Sequence, residues 1–262
     1  MKKTLIALAV AASAAVSGSA MAWIHAGTSG SFNMSGTLKK VEKTIPWDVE
    51  IGAAVTAFDI NVKSGQKVVP VLLSKDLPVL GIRSQKGGFL GEKGISPRID
   101  YSKFADLDYM KEGYLPAKIN VTSSDGKKIG TLAFAMRVAC QVIEKSDSGE
   151  NDNYMLFASS EGKGFFGGIA KKKDGVWNDA AAYSWATHLF SGIADVWDDK
   201  GIPFEGGDAG QVNFSDSGKI YQSYYASGLS KDMPMELILD QVMTSATPVP
   251  WKASLPITIS YM

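Results

Sequence analysis

Much of the chain alternates between apolar and polar residues with a period of two, which is typical of β-strands with one buried face. Trp47–Ile51 has this pattern. One face of a strand predicted near the N-terminus would carry Phe32, Met34, Gly36 and Leu38. One face of a strand predicted over residues 251–261 would carry Leu255, Ile257, Ile259 and Tyr261. The ends of the chain therefore resemble each other, each with a one-faced strand.

Further strands fill the region between these ends. They are predicted at residues 67–73, 77–82, 114–122, 129–144 and 229–242, the last as one strand or a pair. Ser124-Asp125-Gly126 is a hairpin-turn signal between the third and fourth of them. Strands separated by Gly, Pro, Asp and Ser turns favour a mainly β fold, a β-sandwich.

The middle of the chain, about residues 146–218, is rich in glycine and aromatic residues and lacks this alternation. A helix is predicted there from Asn178 or Asp179 to about Asp199, with Gly201 ending it. Its apolar stripe would contain Trp185, Leu189, Ile193 and Val196 or Trp197. We interpret this region as a part-helical insertion in the sandwich.

Residues 1–22 have the three parts of a secretory signal peptide. Lys2 and Lys3 are followed by an apolar stretch, residues 5–16, and Ala20-Met21-Ala22 is a small-x-small cleavage site. Cleavage after Ala22 would leave about 240 residues, enough for a substantial hydrophobic core. We therefore expect export through the periplasm.

Composition excludes several classes of function. The chain has 27 basic and 27 acidic residues, so nothing in its charge indicates a nucleic-acid partner. Cys140 is the only cysteine and lies in an apolar run, so we expect a buried thiol and no internal disulfide. His25 and His188 do not form a zinc-binding pattern, and we expect no cofactor or metal.

Catalytic signals are equally weak. The acidic pairs Asp106/Asp108 and Asp198/Asp199 are interpreted as solvated charges, because a glycosidase needs carboxylates facing each other across a cleft. Sugar rings pack on aromatic faces, so the insertion offers four candidate glycan contacts: Trp177, Tyr183, Trp185 and Trp197. The alternative, which we favour, is that these four rings form a small core of the insertion. We predict that the protein is not an enzyme.

The two terminal strands suggest subunits that join each other. Adding a strand from another chain to an open sheet edge is a known recognition mode. The segment 31–38 has one apolar face and follows a Gly- and Ser-rich stretch, residues 26–30, as a donor strand would. The other reading, that both are ordinary terminal strands of a closed sandwich, stays open on spacing alone.

Specific motifs at both ends carry a family resemblance. The leader MKKTLIALAVAASAAVSGSAMAW, the arm SFNMSGTL, the following IPWDVEIGAAVTAF and the tail WKASLPITISYM resemble the Fae-type subunits of enterobacterial chaperone–usher fimbriae. That resemblance implies an incomplete immunoglobulin-like sandwich, which a periplasmic chaperone first completes. At the outer-membrane usher, the N-terminal arm of the next subunit would replace the chaperone strand.

The resemblance also assigns roles to the two ends. Residues 23–40 would be the donor arm, with Phe32, Met34, Gly36 and Leu38 as its inserted face. Residues 41–262 would be the pilin domain with the insertion at about 146–218, and Leu255, Ile257, Ile259 and Tyr261 would lie in the strand that the chaperone grips. The family has a major subunit, which is also the sugar-binding adhesin, and minor subunits. The expected product is a surface fimbrial subunit, with host-glycan binding as an additional candidate activity; the alternative is a stand-alone secreted carbohydrate-binding module.

Overall fold

The computed structural model describes residues 34–38, 43–56, 58–146, 148–199, 201–204, 206–245 and 247–262. The chain divides into two units, Met1–Lys43 and Thr44–Met262. In the first unit, the described residues 34–38 are outside any strand, and the side chains of Met34 and Leu38 are almost fully exposed. The predicted signal peptide and Phe32 lie outside the described residues.

The second unit is mainly β, as predicted. Its strands are β1 (Trp47–Ile51), β2 (Val68–Val71), β3 (Leu77–Ser84), β4 (Phe89–Leu90), β5 (Pro97–Asp100), β6 (Tyr114–Ser123), β7 (Lys128–Ser146), β8 (Asn151–Leu156), β9 (Ala209–Gly210), β10 (Lys219–Leu229), β11 (Met235–Leu239), β12 (Trp251–Ala253) and β13 (Thr258–Tyr261). One α-helix, α1, spans Ala181–Leu189, and 3₁₀ turns lie at Leu107–Tyr109, Lys173–Gly175 and Ser191–Ile193.

The larger sheet has the strand order β1-β3-β10-β7-β11-β2. Its 19-residue strand β7 pairs with β6 and β11 through its first half and with β10 and β8 through its second half. The predicted turn after β6 is confirmed, since the Gly126 N–H donates to the Ser123 carbonyl at 2.9 Å and Gly126 has a φ of 83°. A second, two-stranded sheet pairs β13 with β5.

The centre of the core is made by β10, a strand that alternation did not reveal. Every residue from Tyr221 to Leu229 is buried, so both faces of the strand are covered and no polar face marks it in the sequence. Tyr225 Oη lies 2.9 Å from Tyr101 Oη and 3.2 Å from the Gly168 carbonyl oxygen. Complete burial raises the pKa of Tyr101 to about 12. The sequence placed a strand start at Leu229, where β10 in fact ends.

The predicted helix is real but much shorter than expected. Asp179 accepts the Ala181 N–H at 2.7 Å, which agrees with the predicted start. The helix ends at Leu189, not near Asp199, because Phe190 leaves the helical region at φ −133° and ψ 85°. Its ring packs on Gly81, where an added Cβ would lie 2.8 Å from the ring. A short 3₁₀ turn follows, so Ile193 and Val196 are buried without belonging to one continuous helix.

Two other predicted boundaries are corrected. The tail is two strands, β12 and β13, separated by residues 254–257 with Pro256 among them, and not a single strand over 251–261. Within the predicted insertion, the polar stretch at 151–153 begins β8, because this segment pairs with the long strand β7. Cys140 is buried as predicted, and burial raises the pKa of its thiol.

Candidate strand-acceptor site

The tail is paired along one side only in the described part of the chain. β12 pairs with β6, and β13 pairs with β5. From residue 251 to 261, burial alternates strictly: exposed residues separate a half-buried row that packs against the core, made of Trp251, Ala253, Leu255, Ile257, Ile259 and Tyr261. The structure thus places the four predicted tail residues on one face, but leaves each of them partly open to solvent.

A second segment, residues 58–62, also alternates between half-buried and exposed residues. Phe58, Ile60 and Val62 are half-buried and pack against the core, while Asp59 and Asn61 between them are exposed. Among the residues described, no backbone hydrogen bond joins residues 58–62 to another strand. The Phe58 ring lies 6.1 Å from the ring of Trp251, so this segment meets the start of the tail. The tail row and the segment 58–62 therefore both present half-buried apolar side chains, and they meet at Phe58 and Trp251.

The inner face of β1 is open as well. Val49 lies opposite Ile82 and Ile51 opposite Leu80, and directly paired residues of an antiparallel ladder share a face. Ile82 and Leu80 are 1% and 0% exposed, whereas Val49 and Ile51 are 41% and 57% exposed. Apolar side chains that continue the core therefore remain uncovered at this edge of the sheet.

We call the tail row, the segment 58–62 and the inner face of β1 together the open margin. Its chemistry is apolar. Its inward-facing side chains are aliphatic or aromatic, and the titratable group in the tail row is Tyr261, whose pKa is raised by partial burial. An open main-chain edge beside an apolar row suits the addition of a β-strand, in which backbone hydrogen bonds give affinity and alternate side chains give specificity.

The described candidate donor residues of this chain are Met34, Gly36 and Leu38. Met34 is 84% exposed and Leu38 is 102% exposed, and both belong to the separate N-terminal unit. A Cβ built on Gly36 would meet nothing within 4 Å. Within a single chain, nothing requires a glycine at this position.

The four candidate glycan aromatics form two separate groups. Tyr183 and Trp197 both pack on the buried Tyr224, with ring centroids 5.9 and 4.9 Å away. Trp177 and Trp185 contact each other at 5.7 Å. The first pair packs on β10, a strand outside the predicted insertion.

Arg137 joins the second pair, and sequence reasoning missed it. Its guanidinium lies 3.4 Å from the ring centroid of Trp177 and 3.9 Å from that of Tyr114. Burial lowers the pKa of Arg137 to about 10, although Asp179 and Glu112 act in the opposite direction, so the group is charged at neutral pH. An arginine within the otherwise apolar run of residues 132–140 was the available signal.

Unsatisfied polar atoms concentrate around this stack. In the described part of the chain, the buried side-chain nitrogens and oxygens without a hydrogen-bond partner are Arg137 Nη1, Asn178 Oδ1 and Trp185 Nε1. All three residues contact or adjoin Trp177. Buried polar groups normally find a partner, so their concentration here needs an explanation.

Both acidic pairs lie on the surface, since Asp106, Asp108, Asp198 and Asp199 are all exposed. Asp106 accepts the Asp108 N–H at 2.9 Å, and Asp108 forms an ion pair with Lys171 at 2.8 Å. The described residues contain no group of His, Cys, Asp or Glu side chains placed to hold a metal ion. None of the helices in the described residues is both long and apolar enough to span a membrane.

Comparison with known proteins identifies the family of this chain. A family model described as "Fimbrial, major and minor subunit" (Fimbrial_K88) matches residues 1–262. The chain belongs to the K88 fimbrial family. The K88 fimbrial proteins AC and AB of Escherichia coli are each 24% identical over 289 residues, and K88 fimbrial protein AD is 23% identical over 291, with both chains covered completely in each case.

Membership of this family fixes the broad function. The homologues are exported, cell-surface fimbrial structural proteins, and the family is not enzymatic. The chain is therefore a fimbrial subunit that assembles with other subunits.

Proposed function

We propose that this fimbrial subunit polymerises by donor strand complementation. The observation that carries the proposal is the open margin: the tail row, the segment 58–62 and the inner face of β1 all present partly exposed apolar side chains beside unpaired backbone. The face of Phe32, Met34, Gly36 and Leu38 on a neighbouring subunit would complete it. Gly36 would then matter only in the assembled state, which agrees with the open space around it in one chain.

The same margin would need protection before assembly. An uncovered sheet edge with an apolar face promotes aggregation. A periplasmic chaperone that adds its own strand along Leu255–Tyr261 would cover it, and the usher at the outer membrane would exchange that strand for the arm of the next subunit. Residues 1–22 would direct the export that this route requires. A stand-alone carbohydrate-binding module would have no use for an open margin of this kind.

Two point substitutions in the arm test the donor assignment. Met34→Asp should abolish polymerisation, because the charge would be buried in the neighbour's core without a partner. Ser35→Asp adds the same charge to the neighbouring residue, on the opposite face, and fibres should still form. Surface fimbriae and periplasmic chaperone complexes would be quantified for both variants. Normal fibres from Met34→Asp, or equal loss in both variants, would contradict the proposal.

We propose a second activity, binding of a neutral saccharide beside Trp177. The rings of Trp177 and Trp185 are half-buried and so remain partly accessible to a sugar, whose C–H faces pack on aromatic rings, and Arg137 stacks on Trp177. Because Glu112 and Asp179 lie close enough to affect the pKa of Arg137, a sugar carrying its own carboxylate would be repelled.

Fibre-mediated binding to an immobilised panel of neutral and acidic glycans tests this activity. Arg137→Met should remove binding to neutral glycans while the quantity of fibres is unchanged. Tyr183→Phe, in the core-packed aromatic pair, serves as the matched control and should bind as the unaltered fibres do. Unchanged binding by Arg137→Met fibres would contradict a saccharide site beside Trp177.

A further inference from the structure

The arm enters the second unit at a single deeply buried aromatic residue. After Leu38, the described residues 43–45 are exposed or half-buried, and Pro46 and Trp47 are the first buried ones. Trp47 is 6% exposed and is the first residue of β1. The backbone that links the arm to the sheet therefore enters β1 at Trp47.

Trp47 is enclosed by three phenylalanines, which together with it we call the Trp47 cage. The ring centroids of Phe89, Phe165 and Phe214 lie 4.9, 5.3 and 5.0 Å from the indole, all with edge-to-face geometry. The indole N–H donates to the Ile95 carbonyl at 2.7 Å. The tryptophan is thus held both by packing and by a directional hydrogen bond.

The walls of the Trp47 cage are fixed by an unusual backbone. Phe165 and Phe214 have φ values of 59° and 50°, a region that bulky residues rarely adopt unless the surrounding structure holds them there. The Phe165 N–H donates to the Pro97 carbonyl at 2.6 Å, and the Phe214 carbonyl accepts the Glu92 N–H at 2.8 Å. These bonds hold the backbone at both phenylalanines in place around the tryptophan.

Beyond Trp47, β1 is held much more weakly. Residues Asp48 to Ile51 are exposed, and β1 pairs only with β3 among the described strands. A force applied to the N-terminal end of β1 would therefore be resisted first by the Trp47 cage and afterwards by one ladder alone.

We propose that Trp47 is a mechanical anchor in the assembled fibre: it transmits tension from the donor arm into the subunit. This inference rests on the proposed donor-strand function, because tension reaches the arm only when the arm is held by a neighbour. With the cage intact, load on the arm is distributed to the loops of Phe165 and Phe214 and to β4. Without it, β1 separates from β3 progressively from its N-terminal end.

Single-fibre stretching at constant force tests the anchor in complete fibres. For Trp47→Ala, the rate of subunit unfolding under load should rise at least about tenfold, since tenfold corresponds to only about 1.4 kcal/mol and truncation of a buried aromatic residue loses more. Trp47→Phe keeps an aromatic ring but loses the bond to Ile95, and should give an intermediate rate. Phe104→Ala is the matched control, because Phe104 is also buried, at 7% exposure, but packs on Tyr101, away from the cage.

Thermal unfolding of the same subunits separates anchoring from general stability. Trp47→Ala and Phe104→Ala should lower the thermal midpoint similarly, while only the change at Trp47 should accelerate unfolding under load. Equal acceleration by both would overturn the anchor. If Trp47→Ala subunits fail to accumulate, the Trp47→Phe fibres decide the question, and a rate equal to that of unaltered fibres would overturn it. The Met34→Asp variant separates failure of the anchor from failure of the donor-strand proposal. Fibres formed by that variant would refute the donor-strand proposal itself.

Discussion

β10 and the tail are both rich in apolar residues, but they differ completely in burial. β10 is covered on both faces and pairs with β3, β4 and β7, so every side chain from residue 221 to 229 is buried. The tail pairs on one side, and no side chain from residue 251 to 261 is fully buried. The difference lies in the number of neighbouring strands. The tail is apolar enough to be buried, but it has a neighbouring strand on one side only.

The largest decrease in the stability of the isolated subunit should follow a substitution in β10. We expect Tyr225→Ala to lower the free energy of unfolding by about 3–5 kcal/mol, because a fully buried aromatic side chain and its hydrogen bonds are lost. Urea unfolding of the purified chaperone-free subunit would measure it. A loss below about 1 kcal/mol would mean that β10 is less central than its burial indicates.

Alkaline pH should lower the stability of the subunit through the buried tyrosines at the centre of the core. The pKa of Tyr101 is about 12 in the folded protein, against 10.0 for the free side chain, so folding favours the protonated form. This contribution is complete below pH 10 and is lost as the pH rises through about 12, a decrease of about 3 kcal/mol for this residue. Burial also raises the pKa values of Tyr224 and Tyr225, which act in the same direction.

Urea unfolding between about pH 9 and 12 measures this dependence. Tyr101→Phe should reduce the slope of stability against pH, whatever its effect at neutral pH. An unchanged slope in that variant would show that folding does not raise the pKa of Tyr101.

The smallest effect on the isolated subunit is expected in the tail. Tyr261→Ala should lower its free energy of unfolding by only about 1 kcal/mol, because the ring is half-exposed without a partner strand. In the chaperone complex the same ring would be fully buried, so the yield of periplasmic complex should fall more than after deletion of Met262. Gel filtration after co-expression with the chaperone measures this, and equal complex yields would mean that the tail is an ordinary closed edge.

Alternation in the sequence revealed the strands with one covered face and failed elsewhere. β1 was predicted residue by residue at Trp47–Ile51, and β6 and β7 were placed within a few residues. β10 was missed because a strand buried on both faces has no polar positions, and β8 was missed because pairing with β7 overrides its polar start.

Prediction of the candidate sites was limited in a similar way. The tail face at Leu255–Tyr261 followed directly from the period of two. The open segment at Phe58–Val62 and the stack of Arg137 on Trp177 depend on contacts between residues far apart in sequence, which a local pattern does not contain. The donor role of Phe32 to Leu38 stays a prediction, since it needs a second subunit.

The length of β7 has a consequence for how the subunit comes apart. One continuous strand supplies ladder partners to β6 and β11 at one end and to β8 and β10 at the other. Unfolding of β7 would therefore remove a neighbour from all four of these strands. Despite its open margin, the subunit should therefore melt in one cooperative transition, with coincident loss of backbone and side-chain signals.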